Sequence, residues 1–133
     1  MSTHASIAIV NADGSVDAVY CHFDGYLEGV GQDLVAHCKT ELGARTLIDG
    51  GDMKSLDDGV PAAYKANGES WDDIKPRHYA DLTEYGENVE NDTGGSNLNY
   101  LWTDDGWKVW GQDPDVDFRV DSAEEAVLLE SLL

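Results

Sequence analysis

The stretch Ala5-Ser-Ile-Ala-Ile-Val10 decides the fold, together with Asn11-Ala-Asp-Gly14 and Val16-Asp-Ala-Val-Tyr-Cys-His-Phe23 after it. Apolar and β-branched residues dominate both flanks, while the middle carries the Asn, Asp and Gly residues that favour tight turns. The pattern predicts a β-hairpin at the start of the chain.

A second hairpin is predicted near the other end. Its strands are Leu98-Asn-Tyr-Leu-Trp-Thr103 and Trp107-Lys-Val-Trp110, and Asp104-Asp-Gly106 between them is typical of a tight turn. A platform on which nucleic acid bases stack is disfavoured, because the chain is strongly acidic. The aromatic side chains of these strands are therefore interpreted as hairpin core: Tyr100, Trp102, Trp107 and Trp110.

Helical spacing and capping residues predict four helical segments, over residues 32–39, 40–48, 74–89 and 123–133. Thr40 caps the second, and Pro76 and Gly86 interrupt the third. Short strands are predicted at residues 62–65 and 117–120, and polar loops at residues 52–59 and 90–96. The elements predict one α+β domain over residues 1–133. Its antiparallel sheet is built from two hairpins, with two to four helices packed on one face.

The charge of the chain limits the classes of partner. Its 27 Asp and Glu residues oppose 8 Lys and Arg residues, for a net charge of −19. Such a field repels phosphates and anionic membranes, so direct nucleic acid binding and membrane association are disfavoured, and a basic protein surface is favoured. The same composition is typical of a solvated surface adapted to a salty cytoplasm.

The cysteines indicate a reducing compartment. Cys21 and Cys38 are too few for a disulfide framework, and the N-terminal residues do not resemble a leader, so we expect a cytoplasmic protein. Zinc is not expected at Cys21-His22 or His37-Cys38, because adjacent side chains point to different sides of a strand or helix.

The run Val19-Tyr-Cys-His-Phe-Asp-Gly-Tyr-Leu-Glu-Gly-Val-Gly-Gln-Asp-Leu34 resembles a family of small proteins of phages, prophages and other mobile elements. Further similarity lies in Leu47-Ile-Asp-Gly-Gly-Asp-Met-Lys-Ser-Leu56, Asn99-Tyr-Leu-Trp102 and Gly106-Trp107. Phe23 stands where Trp is usual in that family. The resemblance implies a mobile-element origin without a specific chemistry. Small acidic phage proteins often inhibit host defence, some of them by imitating DNA.

The motif from Tyr20 to Gly31 is the candidate site for a small molecule or for catalysis. Its polar side chains of unassigned role are His22, Asp24, Tyr26 and Glu28. His22 could act as a base that Asp24 orients. The structural interpretation is favoured instead, because no nucleophile and oxyanion pair is visible. In it Asp24 caps a turn and His22 satisfies a buried backbone group.

The segment Asp113-Pro-Asp-Val-Asp-Phe-Arg-Val-Asp-Ser-Ala-Glu124 partly matches a calcium loop of the EF-hand type. Phe118 stands where that loop needs glycine, and a predicted strand precedes the segment, so calcium is disfavoured as a cofactor. No other cofactor is expected. The carboxylates at the matching loop positions are Asp113, Asp115, Asp117, Asp121 and Glu124.

The same segment supplies most of a predicted acidic patch. Alternate residues of an extended chain stand about 6.6 Å apart on one face, so Asp113, Asp115 and Asp117 would form a row of negative charge. Duplex DNA presents its own dense row of phosphates. The whole predicted patch consists of Asp104, Asp105, Asp113, Asp115, Asp117 and Asp121.

These observations favour an acidic phage-type accessory protein that is not an enzyme. It would bind and inhibit a basic host protein, such as a nucleic-acid-handling defence complex, by charge complementarity or DNA mimicry. If it is phage-encoded, it would act in the host cytosol. Two alternatives stay open: a small-molecule-binding or catalytic domain at the Tyr20–Gly31 motif, and a calcium-stabilised structural protein.

Overall fold

Both predicted hairpins form, within one sheet. The computed structural model describes residues 3–64 and 68–133. The sheet order is β4-β3-β2-β1-β6-β7-β8, with β5 beside β2 and β9 beside β7. In this part of the chain the strands are β1 Ala5–Val10, β2 Val16–Cys21, β3 Met53–Asp57, β4 Val60–Ala63, β5 Arg77–Tyr79, β6 Leu98–Thr103, β7 Gly106–Asp113, β8 Phe118–Val120 and β9 Val127–Leu128.

Helices fill the connections between the two hairpins. They are α1 Gln32–His37, α2 Glu41–Asp49, α3 Trp71–Ile74 and α4 Leu82–Asp92. Thr40 caps α2 as predicted, because its Oγ1 accepts a hydrogen bond of 3.0 Å from the N–H of Gly43. None of the helices in the described part of the chain has the length and apolar character needed to span a bilayer.

The sheet is mixed, so the prediction of an antiparallel sheet is wrong. β1 pairs with β6 in parallel, from Ala5 opposite Leu98 to Ile9 opposite Trp102, and β2 meets β3 in parallel at Cys21 and Met53. A parallel pair needs a long crossover between its strands. The chain between β1 and β6 supplies one, because it contains β2 and all four helices.

Helices lie on both faces of the sheet, not on one face as predicted. Alternate residues of each strand point to opposite sides. On one side Ile7 and Ile9 of β1 pack in a cluster with Leu34 of α1 and Ile48 of α2. On the other side Ala8 belongs to a second cluster, which includes α4 residues. The central strands are therefore covered on both faces.

Three predicted segments differ in the structure. The predicted loop at residues 52–59 contains β3, and the interrupted helix at residues 74–89 is divided into the end of α3, then β5 and most of α4. α4 also continues to Asp92, inside the predicted loop at residues 90–96. The strand predicted at residues 62–65 corresponds to the end of β4, and its Lys65 lies outside the described residues.

The predicted helix at residues 123–133 is also wrong. The chain makes 3-10 turns at Ala123–Glu125 and Leu129–Leu132 on either side of β9. Leu128 and Val127 pair with Lys108 and Val109 of β7, so sheet hydrogen bonds replace those of a continuous helix.

An ionic cluster joins α2 and β5 to the first hairpin. Arg45 donates to Asp17 at 3.1 Å and also to Asn11, and the Nδ1 of His78 lies 2.7 Å from the other Asp17 oxygen. Partial burial acts to raise the pKa of Asp17, but hydrogen bonds from His78, Asn11 and Arg45 outweigh it and lower the pKa overall. The hydrogen bond with Asp17 raises the pKa of His78 above 6.5.

These shifts predict a pH-dependent stability. A raised His78 pKa means that its contribution is complete below about pH 6.5 and is lost as the pH rises through the folded-state pKa. We therefore expect the Tm of the wild type to fall as the pH rises above about 6.5. The His78→Gln variant should lose part of that fall, as measured by circular dichroism. An identical pH profile for wild type and His78→Gln would contradict the assignment.

Candidate functional site

The Tyr20–Gly31 motif folds into a tight loop at the end of β2. Asp24 has a φ of +59°, and its carbonyl accepts a hydrogen bond of 2.9 Å from the N–H of Val30. A Cβ on Gly29 would lie 2.3 Å from that carbonyl oxygen, so no residue other than glycine fits there without a shift of the backbone. The loop continues as one turn of π-helix at Leu27–Gly31, directly before α1.

Two buried side chains of the second hairpin hold this loop. The hydroxyl of Tyr100 donates to the carbonyl of Gly25 at 2.7 Å, and the carboxylate of Asp113 accepts from the N–H of Leu27 at 3.1 Å. Both side chains are almost completely buried. The motif therefore connects the first hairpin to β6 and β7.

The structure pairs His22 with Tyr20 instead of Asp24. The Nδ1 of His22 lies 2.7 Å from the Tyr20 hydroxyl, and the carbonyl of His22 lies 2.7 Å from the Nδ1 of His4. If the Nδ1–H of His4 donates to that carbonyl, the Tyr20 hydroxyl is free to donate to His22. Burial raises the pKa of Tyr20 to about 12, so this phenol stays neutral at physiological pH.

Two other polar side chains of the motif are exposed to solvent. Tyr26 directly precedes the π-helical turn and Glu28 lies within it. Burial raises the pKa of Cys21 to about 12, which suppresses the thiolate that a nucleophile needs. The structure thus does not assemble the predicted base and orienting carboxylate. The prediction that His22 satisfies a buried backbone group is also wrong, because its ring contacts the Tyr20 hydroxyl.

The acidic segment turns sharply where an extended row was predicted. Pro114–Val116 forms a 3-10 turn, Asp117 has a φ of +55°, and Phe118 then pairs back with Asp113. Asp113 itself is 2% exposed, and its carboxylate accepts from the N–H groups of Leu27 and Asp115. The row of Asp113, Asp115 and Asp117 on one face is therefore wrong, because the first carboxylate points inward.

The other members of the predicted patch lie apart from this turn. Asp104 and Asp105 form the β6–β7 turn, at the opposite end of the eight-residue β7 from Asp113. At about 3.3 Å per residue, that is a separation of roughly 23 Å. Asp121 follows β8 and accepts from the Nε of Arg119 at 2.8 Å. Asp104 and Asp105 are thus separated from Asp113, so the six carboxylates do not form one patch.

One group of potential metal ligands was missed by the sequence analysis. Within residues 3–64 and 68–133, the ligand atoms of three such side chains approach within 4.8 Å only at Asp33, His37 and Asp58. Asp33 and His37 share a face of α1, and Asp58 comes from the β3–β4 turn. The Nε2 of His37 lies 3.9 Å from Asp58, in contact with solvent. The carboxylates of the predicted calcium loop are outside this group.

Searches against family models, curated proteins and solved structures find no match to the chain.

The inward position of Asp113 predicts a large effect of its removal. Asp113→Ala leaves the buried N–H of Leu27 and the partly buried N–H of Asp115 without an acceptor, so we expect the free energy of unfolding to fall by about 2 kcal/mol. Asp115→Ala removes the same charge from an exposed position and should change stability by less than about 0.5 kcal/mol. Urea unfolding measures both values. Equal losses would show that Asp113 does not hold the loop.

Calcium is expected to have no specific effect on stability. Asp113 is 2% exposed and its two carboxylate oxygens face the N–H groups of Leu27 and Asp115, so it does not face an open calcium loop as a first ligand would. We expect calcium and magnesium at equal concentrations to shift the Tm equally, through screening alone. A larger calcium shift that disappears with Glu124→Gln would restore the calcium hypothesis.

Proposed function

We propose that this protein is a phage-type accessory protein, not an enzyme, that binds a basic surface on a host protein by charge complementarity. The observation that carries the proposal is the excess of uncompensated carboxylates. Within residues 3–64 and 68–133, five of the seven Lys and Arg side chains already contact a carboxylate. Few cations are left to neutralise the remaining acidic side chains, so a cationic partner would meet a negative field on approach.

Internal pairing also explains which carboxylates are unavailable to a partner. Asp52 accepts two hydrogen bonds from Arg77, at 2.7 and 3.1 Å, and a third from the N–H of Tyr20. Asp17 is similarly engaged by Arg45 and His78. These acidic residues have structural partners, whereas the exposed carboxylates of the turns and helix surfaces are available for intermolecular contacts.

The density of charge favours general complementarity over imitation of duplex DNA. A surface of 6864 Å² shared among 19 net charges gives about 360 Å² per charge. Duplex DNA, with one charge per ~1.7 Å along a cylinder ~20 Å across, has roughly 110 Å² per charge. The grooves enlarge the accessible surface of DNA beyond that of a smooth cylinder, so the difference is smaller than this ratio, and the protein is the less densely charged of the two. A basic protein that normally holds nucleic acid is therefore a suitable partner because of its charge, without a shared phosphate geometry.

The resemblance of the Tyr20–Gly31 motif to phage and prophage proteins supports a host protein as the target. The partners of the motif side chains support a role other than catalysis, since His22 contacts Tyr20 and the Cys21 thiol is held in its neutral form. We infer that the motif maintains the fold of the loop, while the acidic exterior makes the interaction.

Binding of this type predicts a steep dependence on salt. The immobilised protein should capture a basic nucleic-acid-binding protein from host lysate, and duplex DNA should compete with the captured protein. Affinity of the purified pair should fall at least about tenfold between 50 and 200 mM salt, because several ion pairs are screened together. Titration calorimetry at several salt concentrations measures this slope.

A surface adapted only to salt gives the opposite pattern. Its stability would rise with salt concentration, and no saturable binding to a basic protein would be found at any ionic strength. Recovery of acidic or neutral partners alone would also contradict the proposal.

A further inference from the structure

A cavity beside the second hairpin combines aromatic walls with an acidic rim. Its volume is about 620 Å³ and it is partly open to solvent. The indole of Trp102 and the side chains of Val35 and Leu128 contribute apolar lining, and Asp104, Asp105 and Glu130 contribute carboxylates. We refer to this cavity as the Trp102 pocket.

The pocket has a rigid aromatic wall. Trp107 is 5% exposed, and its Nε1 donates to the carbonyl of Cys38 at 2.7 Å, directly after α1. The ring of Trp102 lies against that of Trp107 edge to face, with centroids 5.5 Å apart and planes at 76°. Trp102 remains partly accessible, although the other aromatic side chains of this hairpin are buried as predicted. An aromatic side chain on a fixed support thus faces the cavity.

The charges at the rim indicate the sign of the ligand. Three carboxylates line the pocket against one cation, Lys39. Asp105 is additionally 3.7 Å from Lys108, whereas Asp104 and Glu130 are exposed and have no ion pair within 4 Å among the described residues. An anion is disfavoured because the carboxylates at the rim would repel it. A neutral apolar ligand would contact the apolar walls but would leave the carboxylates without a partner. The walls and the rim together match a cation that carries a flat or apolar surface.

We infer that the Trp102 pocket receives an arginine side chain of the basic partner protein. This inference rests on the proposed function. A guanidinium stacks on an aromatic face, is more weakly hydrated than an ammonium, and can donate several hydrogen bonds to carboxylates at once. Lysine offers a compact and strongly hydrated charge that uses the indole less well. The pocket is thus the point of the acidic surface that distinguishes one cationic residue from another.

The site joins three parts of the chain. Val35 and Lys39 come from α1 and the residues after it, Trp102 from the end of β6, and Glu130 from the last 3-10 turn. A buried aromatic contact surrounded by polar groups is the usual composition of an energetic hot spot in an interface. Diffuse surface charge accelerates encounter, and a pocket of this kind adds specificity to it.

The test compares two labelled peptides of identical length, one containing three arginines and the other three lysines at the same positions. Fluorescence anisotropy at fixed ionic strength should show the arginine peptide binding the wild type about fivefold more tightly. Trp102→Leu should remove that preference, and Trp102→Phe should retain part of it, because phenylalanine has a weaker aromatic quadrupole. Equal affinity of the wild type for both peptides would overturn the inference.

A matched pair of variants distinguishes binding at the pocket from attraction to the overall negative charge of the protein. Asp104→Asn with Glu130→Gln removes two charges at the pocket, and Asp115→Asn with Glu124→Gln removes two exposed charges elsewhere. The pocket variant should weaken arginine-peptide binding about tenfold and the control less than about threefold. Equal losses would mean that binding is diffuse; the pocket would then be excluded while the proposed function would stand.

A measurement on the wild type tests the pocket even when a variant fails to fold. N-acetyl-arginine methylamide should shift the indole N–H resonance of Trp102 in a saturable manner, and the lysine analogue should shift it less. Absence of that shift would overturn the pocket. A saturable shift combined with failure to bind any basic protein would leave the pocket as a guanidinium site and would reject the proposed function instead.

Discussion

The parallel pairing of β1 with β6 is the constraint on which the rest of the structure depends. It joins the two hairpins into one sheet and brings residues 93 positions apart into register, as with Ser6 and Asn99. Both side chains are fully buried, and Ser6 donates to the amide oxygen of Asn99 at 2.7 Å. A shift by one residue would separate this polar pair and would turn every apolar side chain of β1 to the opposite face of the sheet. The pairing of β1 with β6 therefore has a single register.

The parallel pairing of β1 with β6 determines which loops are neighbours. Because β1 and β6 run in the same direction, the β1–β2 and β6–β7 turns lie at one end of the sheet. The motif loop and the β7–β8 turn lie at the other end, where Asp113 reaches the N–H of Leu27. Because β7 runs from one end of the sheet to the other, the carboxylates beside its two ends, Asp105 and Asp113, cannot combine into a single surface patch.

Local patterns were sufficient for part of this arrangement. The hairpins and the Thr40 cap depend on neighbouring residues, so the sequence predicted them. The pairing of β1 with β6 and the formation of β9 depend on partners that are distant in the sequence. An apolar run such as Val127–Leu128 is compatible with a helix as well as a strand, and its pairing with β7 selects the strand. The acidic row failed because Pro114 and Asp117 form a turn. The Trp102 pocket could not be predicted, since three separate segments build it.

The long separation between β1 and β6 has a consequence during translation. One edge of β1 has no partner until residues 98–103 have been synthesised, although its hairpin with β2 is complete much earlier. At about 5–20 residues per second, the interval lasts roughly 4–16 s. For that time the nascent chain presents the unpaired N–H and C=O groups of an apolar strand, which are open to pairing with the strand edge of another chain.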